Sequence, residues 1–577
     1  MGKFKLSSIF SSSSSSLDAE AKKQNRRSFS LSASLRAKEA LANGTSLTKK
    51  ASKADTTATE KASSTSRMIE LSQQISKASE IVDNYFKSQG LPVPSFDVDA
   101  PLDYPQLPEE VRNARLELII ATKELNRLAH GPRESVRWAV WEFLDVTALA
   151  AVNHYGIAKH VPLEGTISLA DLQPKTQLDH VNLARLLRVA ITNGIFAEPT
   201  PGHIAHTAAS RVLRDDEDMQ SWIGFCGEDL YAAAAHVLPA LKAYPEATSL
   251  TRAGFQFAFD TVDREPMFVT LGKEPPRAKR FGRAMVSLTG GEGYEPAYFI
   301  DVDKGGYDLS DVDAKEGTFV DVGGSHGFIC VDLAKRYKKM RFVVQDLPKM
   351  IDSAPKPISE DEQIASRIQL QPHDFFTEQV VKGADVYYFR WIIHNYSTPY
   401  AVRILKNLVP ALKPGARILI NDHCLREPGQ ENAWDERVMR RMDVVMLALL
   451  NAQERTEDEF RALFAAADPG FVFKGVYRPK GCRMSVIEAV WKPDEVEKEK
   501  VEETKAEEPA TTAAPAESPA AAPAEEAKAE APAPAEEAKA EPAAAAAAVE
   551  EKKPAVENGN GVAPAPAATE AKAEEAK

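Results

Sequence analysis

A glycine-rich turn occupies residues 321–327, DVGGSHG, between an apolar strand and a helix. Asp321 precedes Gly323, Gly324 and Gly327, which give the spacing G-G-x-x-G. A strand, a turn and a helix in this order predict a nucleotide-like ligand, but the pyrophosphate of a dinucleotide requires G-x-G-x-x-G. An acidic residue followed by glycines suits a nucleoside with a cationic amino-acid tail. S-adenosylmethionine is such a ligand.

Two more acidic residues end the next two predicted strands. Asp346 lies 25 residues after Asp321 and precedes Leu347, and Asp374 precedes Phe375. Because the carboxyl ends of parallel strands meet at one crevice, we expect these carboxylates to converge there. Asp346 can accept both ribose hydroxyls of the ligand. Asp374 can accept from the adenine amino group, while Phe375 packs on the ring.

A histidine follows the next predicted strand, in FRWIIHNYS at 389–397. An imidazole with an ordinary pKa of about 6.5 can take a proton at neutral pH, so His394 is a candidate general base. The alternative is a hydrogen-bonded structural histidine. Asp443 and Glu454 supply carboxylates that could orient the imidazole and stabilise its cation, as a buried aspartate does in a serine-protease triad.

The elements that must position these residues are strands that alternate with helical stretches from Thr318 onward. The strands read TFVDV, RFVVQ, RIQLQ, DVYYF and RILIND. This alternation predicts an α/β fold with a doubly wound, mostly parallel sheet of the Rossmann-like kind. Two successive strands near the end, FVFKGVYR and MSVIEAVW, predict an antiparallel edge.

The preceding part is helical by pattern, with a short hairpin. Residues 176–194 predict a helix that ends at Gly194 and carries on one face Leu178, Val181, Leu186, Ala190 and Ile191. IFAE and HIAH predict two strands after it. Helices followed by a hairpin outline a winged helix. Such a module can bind DNA through basic residues or serve as a dimerisation platform, and the acidic balance around it opposes DNA binding.

Composition and charge divide the 577 residues into four segments. We predict a disordered basic Ser/Ala-rich segment, a helical and winged-helix domain, an α/β domain and a disordered acidic Ala/Pro/Glu/Lys tail, at 1–67, 68–300, 301–491 and 492–577. The net charge of −13 divides as +8 for 1–67, −10 for 68–491 and −11 for 492–577. This distribution gives no basic surface for nucleic acid in the central part.

Cysteine usage predicts a cytoplasmic protein. Cys226, Cys330, Cys424 and Cys482 are scattered and form no C-x-x-C pair, as expected of reduced residues without a metal. The sequence has no apolar run of membrane-spanning length and no secretory h-region.

From about Glu134 to Trp491 the chain resembles the plant-like, caffeic-acid-type O-methyltransferases, and most closely their fungal secondary-metabolite branch, which acts on phenolic polyketides. The resemblance is carried by DVGG, QDLP, HDFF, FRWIIH, LKPGARILI and MDVVMLALLNAQERTEDEF in this order and spacing. It implies S-adenosylmethionine as methyl donor, no metal, a phenolic small-molecule acceptor and a homodimer formed through the helical domain.

The resemblance also implies roles for individual residues. His394 would be the base, flanked by Asp443 and Glu454, and Asp346 would hold the ribose. Arg390 stands where the family commonly has a donor-contacting lysine, and FGRAM nominates Met285 beside the methyl group. The resemblance implies the same adenine contacts for Asp374 and Phe375. The donor would also be lined by Asp321, Gly323, Gly324 and Leu347.

The sequence departs from the family at Ser325 and His326, where glycine and a small residue are commonest, and at Asn395, where aspartate is frequent. Donor affinity is the property that these departures would change. Walls for an aromatic acceptor are expected from Trp222, Phe225, Phe257, Phe281, Met285, Met442 and Met446. Alternative interpretations are an NAD-dependent dehydrogenase and a catalytically silent methyltransferase-like regulator or scaffold.

Overall fold

The computed structural model of the chain describes residues 65–493. The two predicted disordered segments, 1–67 and 492–577, lie outside the described residues except for their innermost two or three positions. Arg67 begins the first helix. In the part described, no helix is both long and apolar enough to cross a membrane.

Helices fill the part of the chain before the large sheet. The α-helices there are α1 Arg67–Ser88, α2 Glu109–Ala139, α3 Glu142–His154, α4 Leu169–Leu172, α5 His180–Thr192, α6 Ala208–Asp215, α7 Glu217–Gly224, α8 Tyr231–Ala235, α9 Val237–Ala243, α10 Gly254–Ala258, α11 Met267–Gly272, α12 Pro275–Thr289, α13 Ala297–Ile300 and α14 Ser310–Ala314. The other helical turns are the 3₁₀ turns Ile157–Lys159, Gln173–Lys175 and Val302–Lys304 and the π-helix Phe225–Leu230.

Later helices alternate with strands. They are α15 Phe328–Arg336, α16 Pro348–Ser353, α17 Glu362–Ala365, α18 Thr398–Leu408, α19 Ala433–Leu450 and α20 Glu457–Ala467, with 3₁₀ turns at Ile393–Asn395 and Val409–Ala411. The N-terminus of α20 has the reciprocal hydrogen bonds of a capping box between Thr456 and Glu459, as its sequence indicates.

The strands form one large and two small sheets. They are β1 Ile167–Ser168, β2 Ala197–Thr200, β3 His203–Ala205, β4 Thr318–Val322, β5 Arg341–Asp346, β6 Ile368–Pro372, β7 Val386–Arg390, β8 Arg417–Asp422, β9 Cys424–Leu425, β10 Arg455–Thr456, β11 Phe471–Tyr477 and β12 Ser485–Trp491. The large sheet has the order β11-β12-β8-β7-β4-β5-β6. Its strands are parallel from β8 to β6, and β12 and β11 add the predicted antiparallel edge.

The large sheet is buried on both faces, which explains why its central strands are mainly apolar. One face packs against α18 and α20 through residues such as Ile404 and Phe464, and the other packs against α15 through Leu333. The strand order reverses between β4 and β7, so a crevice opens there at the carboxyl ends of the strands.

The winged-helix outline is present as α5 followed by a small sheet of order β1-β3-β2. The predicted helix face is corrected: Leu183, Leu187 and Ala190 are its buried residues, whereas Val181 is exposed. Asp179 caps the helix, so Val181 falls in the first turn on the solvent side. The first strand of this hairpin begins later than predicted because Phe196 has a positive φ of 67°, which lies outside the β region.

Candidate active site

Three neighbouring parallel strands bring the predicted donor-binding carboxylates to one edge of the sheet. Asp321 lies in β4, Asp346 ends β5, and Asp374 follows β6. Their environments differ, because Asp321 is buried, Asp346 is half-buried and Asp374 is exposed. The convergence that parallel pairing predicts is therefore present, next to the switch point between β4 and β7.

Asp346 fastens the glycine-rich turn to β5. Its Oδ2 accepts the main-chain N–H of Ser325 at 2.9 Å, and its Oδ1 accepts the N–H of Leu347 at 2.7 Å. Burial raises the pKa of Asp346, and these two hydrogen bonds oppose that rise. A carboxylate has about four acceptor sites, so two protein donors leave capacity for two hydroxyl groups.

The first two glycines of the turn are required by close neighbours. A Cβ at Gly324 would lie 2.4 Å from Asp321 Oδ2, and one at Gly323 would lie 2.6 Å from Ile392 Cδ1. Burial raises the pKa of Asp321 to about 7, although a hydrogen bond from the Cys330 thiol lowers it. The buried Asp321 therefore lies next to two glycines, whose backbone a ligand can approach closely. This arrangement fits a ligand that carries a cationic group.

The remaining predicted donor residues are held by protein groups. Asp374 Oδ1 accepts the N–H of Phe376 at 2.9 Å, and the Phe375 ring lies 3.6 Å from the Cβ that Gly323 lacks. Arg390 donates to Asn421 Oδ1 and, at 2.7 Å, to the carbonyl of Tyr294. The guanidinium of Arg390 is therefore already engaged, and its place in donor binding stays a prediction.

Ser325 occupies a left-handed backbone position, with φ of 52°, where the family commonly has glycine. We expect Ser325→Gly to stabilise the protein by about 1 kcal/mol, because a Cβ in this region costs about that much and the N–H to Asp346 is retained. Denaturation of Ser325→Ala is the matched control, since alanine keeps the strained Cβ and should bring no gain. Equal or lower stability of the glycine variant would contradict the expectation.

His394 lies in the 3₁₀ turn Ile393–Asn395, directly after β7. The residue is buried, and its Nδ1 lies 2.9 Å from Glu454 Oε1. Burial lowers the pKa of His394, but the charge and hydrogen bond of Glu454 outweigh it and raise the pKa. Because an ionised carboxylate only accepts hydrogen bonds, Nδ1 carries the hydrogen, and Nε2 of the neutral ring is left to take a proton.

Asp443, predicted to orient the imidazole, forms its hydrogen bond with the main chain of Glu454. Its Oδ1 accepts the main-chain N–H of Glu454 at 2.8 Å, so it fixes the residue that holds His394. The physical reason is that Asp443 projects from α19 towards the backbone before β10, and the Glu454 side chain fills the space beside the ring. Asp443 is thus one step removed from the histidine.

Sequence reasoning missed Asp422, His423 and Arg455. Asp422 Oδ2 accepts the main-chain N–H of His394 at 3.0 Å, and burial raises its pKa. The Arg455 guanidinium donates to the carbonyl of Ile393 at 3.1 Å, and so it holds the same turn. A polar pair at the carboxyl end of β8, Asp422-His423, was the available signal, because parallel strands carry functional groups there.

Six of the seven residues predicted to line an acceptor belong to one hydrophobic cluster. They are Trp222, Phe225, Phe281, Met285, Met442 and Met446. Phe257 instead packs edge-on against Tyr244, with ring centroids 6.2 Å apart. The cluster joins α19, which also carries Asp443, to the helical part of the chain. Contact of these side chains with an acceptor stays a prediction.

A mostly parallel sheet with carboxylates at three strand ends and a buried histidine beside the same crevice is the arrangement of an α/β methyltransferase. A family model described as an O-methyltransferase domain matches residues 307–472. A chlorophenol O-methyltransferase of Trichoderma longibrachiatum is 59% identical over 429 residues, which are 74% of this chain and 91% of that protein. The grayanic acid biosynthesis cluster O-methyltransferase of Cladonia grayi is 36% identical and covers 72% of this chain and 85% of that protein.

Solved structures agree with this fold. OxaC in complex with sinefungin and meleagrin has a TM-score of 0.59 at 22% identity, over 74% of this chain and 100% of that chain. LaPhzM has a TM-score of 0.51 at 28% identity, over 63% of this chain and 100% of that chain. The chain belongs to the S-adenosylmethionine-dependent O-methyltransferase family. The dehydrogenase and the silent regulator or scaffold are not favoured by these relatives.

Proposed function

We propose that the protein transfers a methyl group to the hydroxyl of a phenolic small molecule, of the polyketide type, with His394 as general base. The observation that carries this proposal is the buried His394–Glu454 pair at the end of β7, with Nε2 left free to take a proton. The 59% identical relative named as a chlorophenol O-methyltransferase supports a phenolic acceptor.

The donor-binding residues fit S-adenosylmethionine. Asp346 would hold the ribose hydroxyls, Asp374 and Phe375 would face the adenine, and Asp321 under the glycines would face the cationic tail. When bound, S-adenosylmethionine supplies a methyl group that is already electrophilic because it is attached to a sulfonium. We therefore propose that the donor is activated without a metal.

The residues of the chain must then align the phenol oxygen with the methyl group and remove the phenolic proton. A phenol with a pKa of about 10 is a poor nucleophile at pH 7 until it is deprotonated. In the proposed step the phenol oxygen forms a bond to the methyl carbon, the carbon–sulfur bond breaks, and the phenolic proton moves to His394 Nε2. Glu454 stabilises the imidazolium, since burial opposes its ionisation but His394 and His423 lower its pKa.

Incubation with methyl-labelled S-adenosylmethionine and a panel of chlorophenols, phenols, flavonoids and anthraquinones tests the proposal. We expect label on a phenolic oxygen, located by mass spectrometry and NMR. The methyl ethers of the same compounds are the matched controls and should take no label. Label on carbon or nitrogen, or no transfer to any phenol, would refute the proposed function.

We also propose a cytoplasmic homodimer formed through the 136–146 patch, a set of exposed apolar side chains where α2 ends and α3 begins. Its members are Val136, Trp138, Val140, Trp141, Phe143, Leu144 and Val146. Exposed apolar side chains that are this close in sequence are typical of a subunit interface.

Charged substitutions in the 136–146 patch should abolish the dimer. We expect light scattering to give twice the chain mass for the wild type and the chain mass for Val140→Glu/Trp141→Glu, because burying two carboxylates costs more than the interface gains. Val380→Glu, at an exposed apolar residue after β6, is the matched control and should remain dimeric. A monomeric wild type would contradict the proposal.

A further inference from the structure

A second histidine faces the carboxylate that holds His394. β9 and β10 pair in parallel with Cys424 opposite Arg455, so the residues before them, His423 and Glu454, lie side by side. His423 Nδ1 is 3.3 Å from Glu454 Oε1, the oxygen that also lies 2.9 Å from His394 Nδ1. One buried carboxylate oxygen is therefore shared by two imidazoles.

The surroundings of His423 do not explain why a histidine stands there. The ring is fully buried and packs against Trp391 and Tyr294, with centroid distances of 5.1 and 5.6 Å. Within the described residues, neither ring nitrogen forms a well-aligned hydrogen bond, and Glu454 Oε2 has no partner. Buried polar groups are normally hydrogen-bonded, so an apolar ring would fit this aromatic environment at lower cost.

We propose that His423 is a positioning residue for His394 and acts through the Glu454 oxygen that both imidazoles face. The inference rests on the proposed function, in which His394 is the base. A carboxylate oxygen that lies between two imidazole nitrogens is confined from both sides, so the His394 ring that faces it is held in one orientation. His423 also stabilises the ionised Glu454, as its lowering of the Glu454 pKa indicates, and a stabilised carboxylate attracts the His394 imidazolium less strongly.

This sharing predicts how His394 titrates. The ionisable groups around the pair are Asp422 at the end of β8, Asp443 on α19, Tyr294 after α12, and Arg455 beside Glu454. Glu454 is the acidic group within 4.0 Å of His423 among residues 65–493. Loss of His423 would remove this stabilisation of Glu454, so the carboxylate would bind the His394 imidazolium more strongly and raise the pKa of His394.

Substitution of His423 by phenylalanine and by asparagine tests the proposal. We expect His423→Phe to lower kcat roughly ten- to a hundredfold, the range for a misplaced catalytic group, with acceptor KM and donor Kd nearly unchanged. The acid limb of the kcat profile should move up by about one pH unit. His423→Asn, whose amide can place a donor near the Nδ1 position, should recover most of the loss.

Two further variants separate positioning from packing. In a Glu454→Gln background the effect of His423→Phe should largely disappear, because both act through one oxygen. His206→Phe is the control for a buried histidine in another cluster, where it contacts Phe196. This control should lower stability and leave the pH profile in place. A folded His423→Phe protein with an unmoved acid limb would overturn the proposal.

A readout without turnover keeps this inference distinct from the proposed function. The pKa of His394, followed by NMR of ¹⁵N-histidine-labelled protein, should rise in His423→Phe even if no phenol is ever methylated. An unchanged His394 titration in an enzyme that methylates phenols would reject the role of His423 and leave the proposed function standing. Absence of methyl transfer together with a raised pKa of His394 would reject the proposed function and support the role of His423.

Discussion

Replacement of Asp346 by alanine is expected to weaken S-adenosylmethionine binding by about 10² to 10⁴. The proposed carboxylate–ribose contact consists of two charge-assisted hydrogen bonds, each worth about 1.5–3 kcal/mol. The same carboxylate holds the N–H groups of Ser325 and Leu347, so its loss also frees the glycine-rich turn. Acceptor binding, which needs neither contact, should change little.

Titration calorimetry with each ligand measures the two affinities separately. Asp346→Asn is the informative intermediate: the side-chain amide keeps the shape but loses the charge and half of the acceptors, so its donor Kd should lie between those of wild type and alanine. Asp352→Ala, at an exposed aspartate on α16, is the matched control. An unchanged donor Kd in Asp346→Ala would remove this residue from the site.

The sheet and its strand-end carboxylates could be predicted from the sequence because both follow from local patterns. Apolar stretches separated by helical ones predict parallel strands, and Asp321, Asp346 and Asp374 each stand at or just after such a stretch. Parallel pairing then places consecutive strand ends together without further information. The prediction of a common crevice needed only the order of elements, and so it is robust to errors of a residue or two in their bounds.

The network around His394 could not be predicted in the same way, because it depends on contacts between distant segments. Glu454 reaches the imidazole, and His423 reaches Glu454, because β9 and β10 pair over two residues each. Strands this short have no periodicity in the sequence. The acidic side chain of Asp443 suggests that it orients the imidazole of His394. A carboxylate on a helix can equally accept a main-chain N–H, and Asp443 accepts that of Glu454.

Phe196 shows a further reason for error, and Arg390 shows a side-chain contact that the sequence could not predict. Phe196 has the residue type of a strand, yet it adopts a positive φ in the turn that follows the end of α5 at Thr192, and so the local turn overrides β propensity. The family resemblance predicts that Arg390 contacts the donor. The β7–β8 register sets it opposite Asn421, which binds its guanidinium. A side-chain partner that depends on strand register cannot be predicted from the residue type alone.

Loss of His394 should have the largest effect on turnover. We expect His394→Ala and His394→Gln to lower kcat by roughly 10² to 10⁴, the usual contribution of a positioned acid–base group, while donor affinity stays nearly intact. Glu454→Gln should cause a smaller loss and Asp443→Asn a smaller one still, because Asp443 contacts only the main chain of Glu454. Their combination should cost less than the sum of the single effects, since both act through one ring.

The acceptor itself provides the sharpest test of this role for His394. A phenol that is already ionised at the assay pH needs no base, so the defect of His394→Ala should shrink for polychlorinated phenols and persist for unsubstituted ones. A merely packed histidine would instead lower stability and both affinities together, with turnover following the folded fraction. Measuring kcat, donor Kd and melting temperature on one preparation separates the two. A folded His394→Ala protein that methylates a neutral phenol at the wild-type rate would end this mechanism, because His394 would then not be the group that takes the proton.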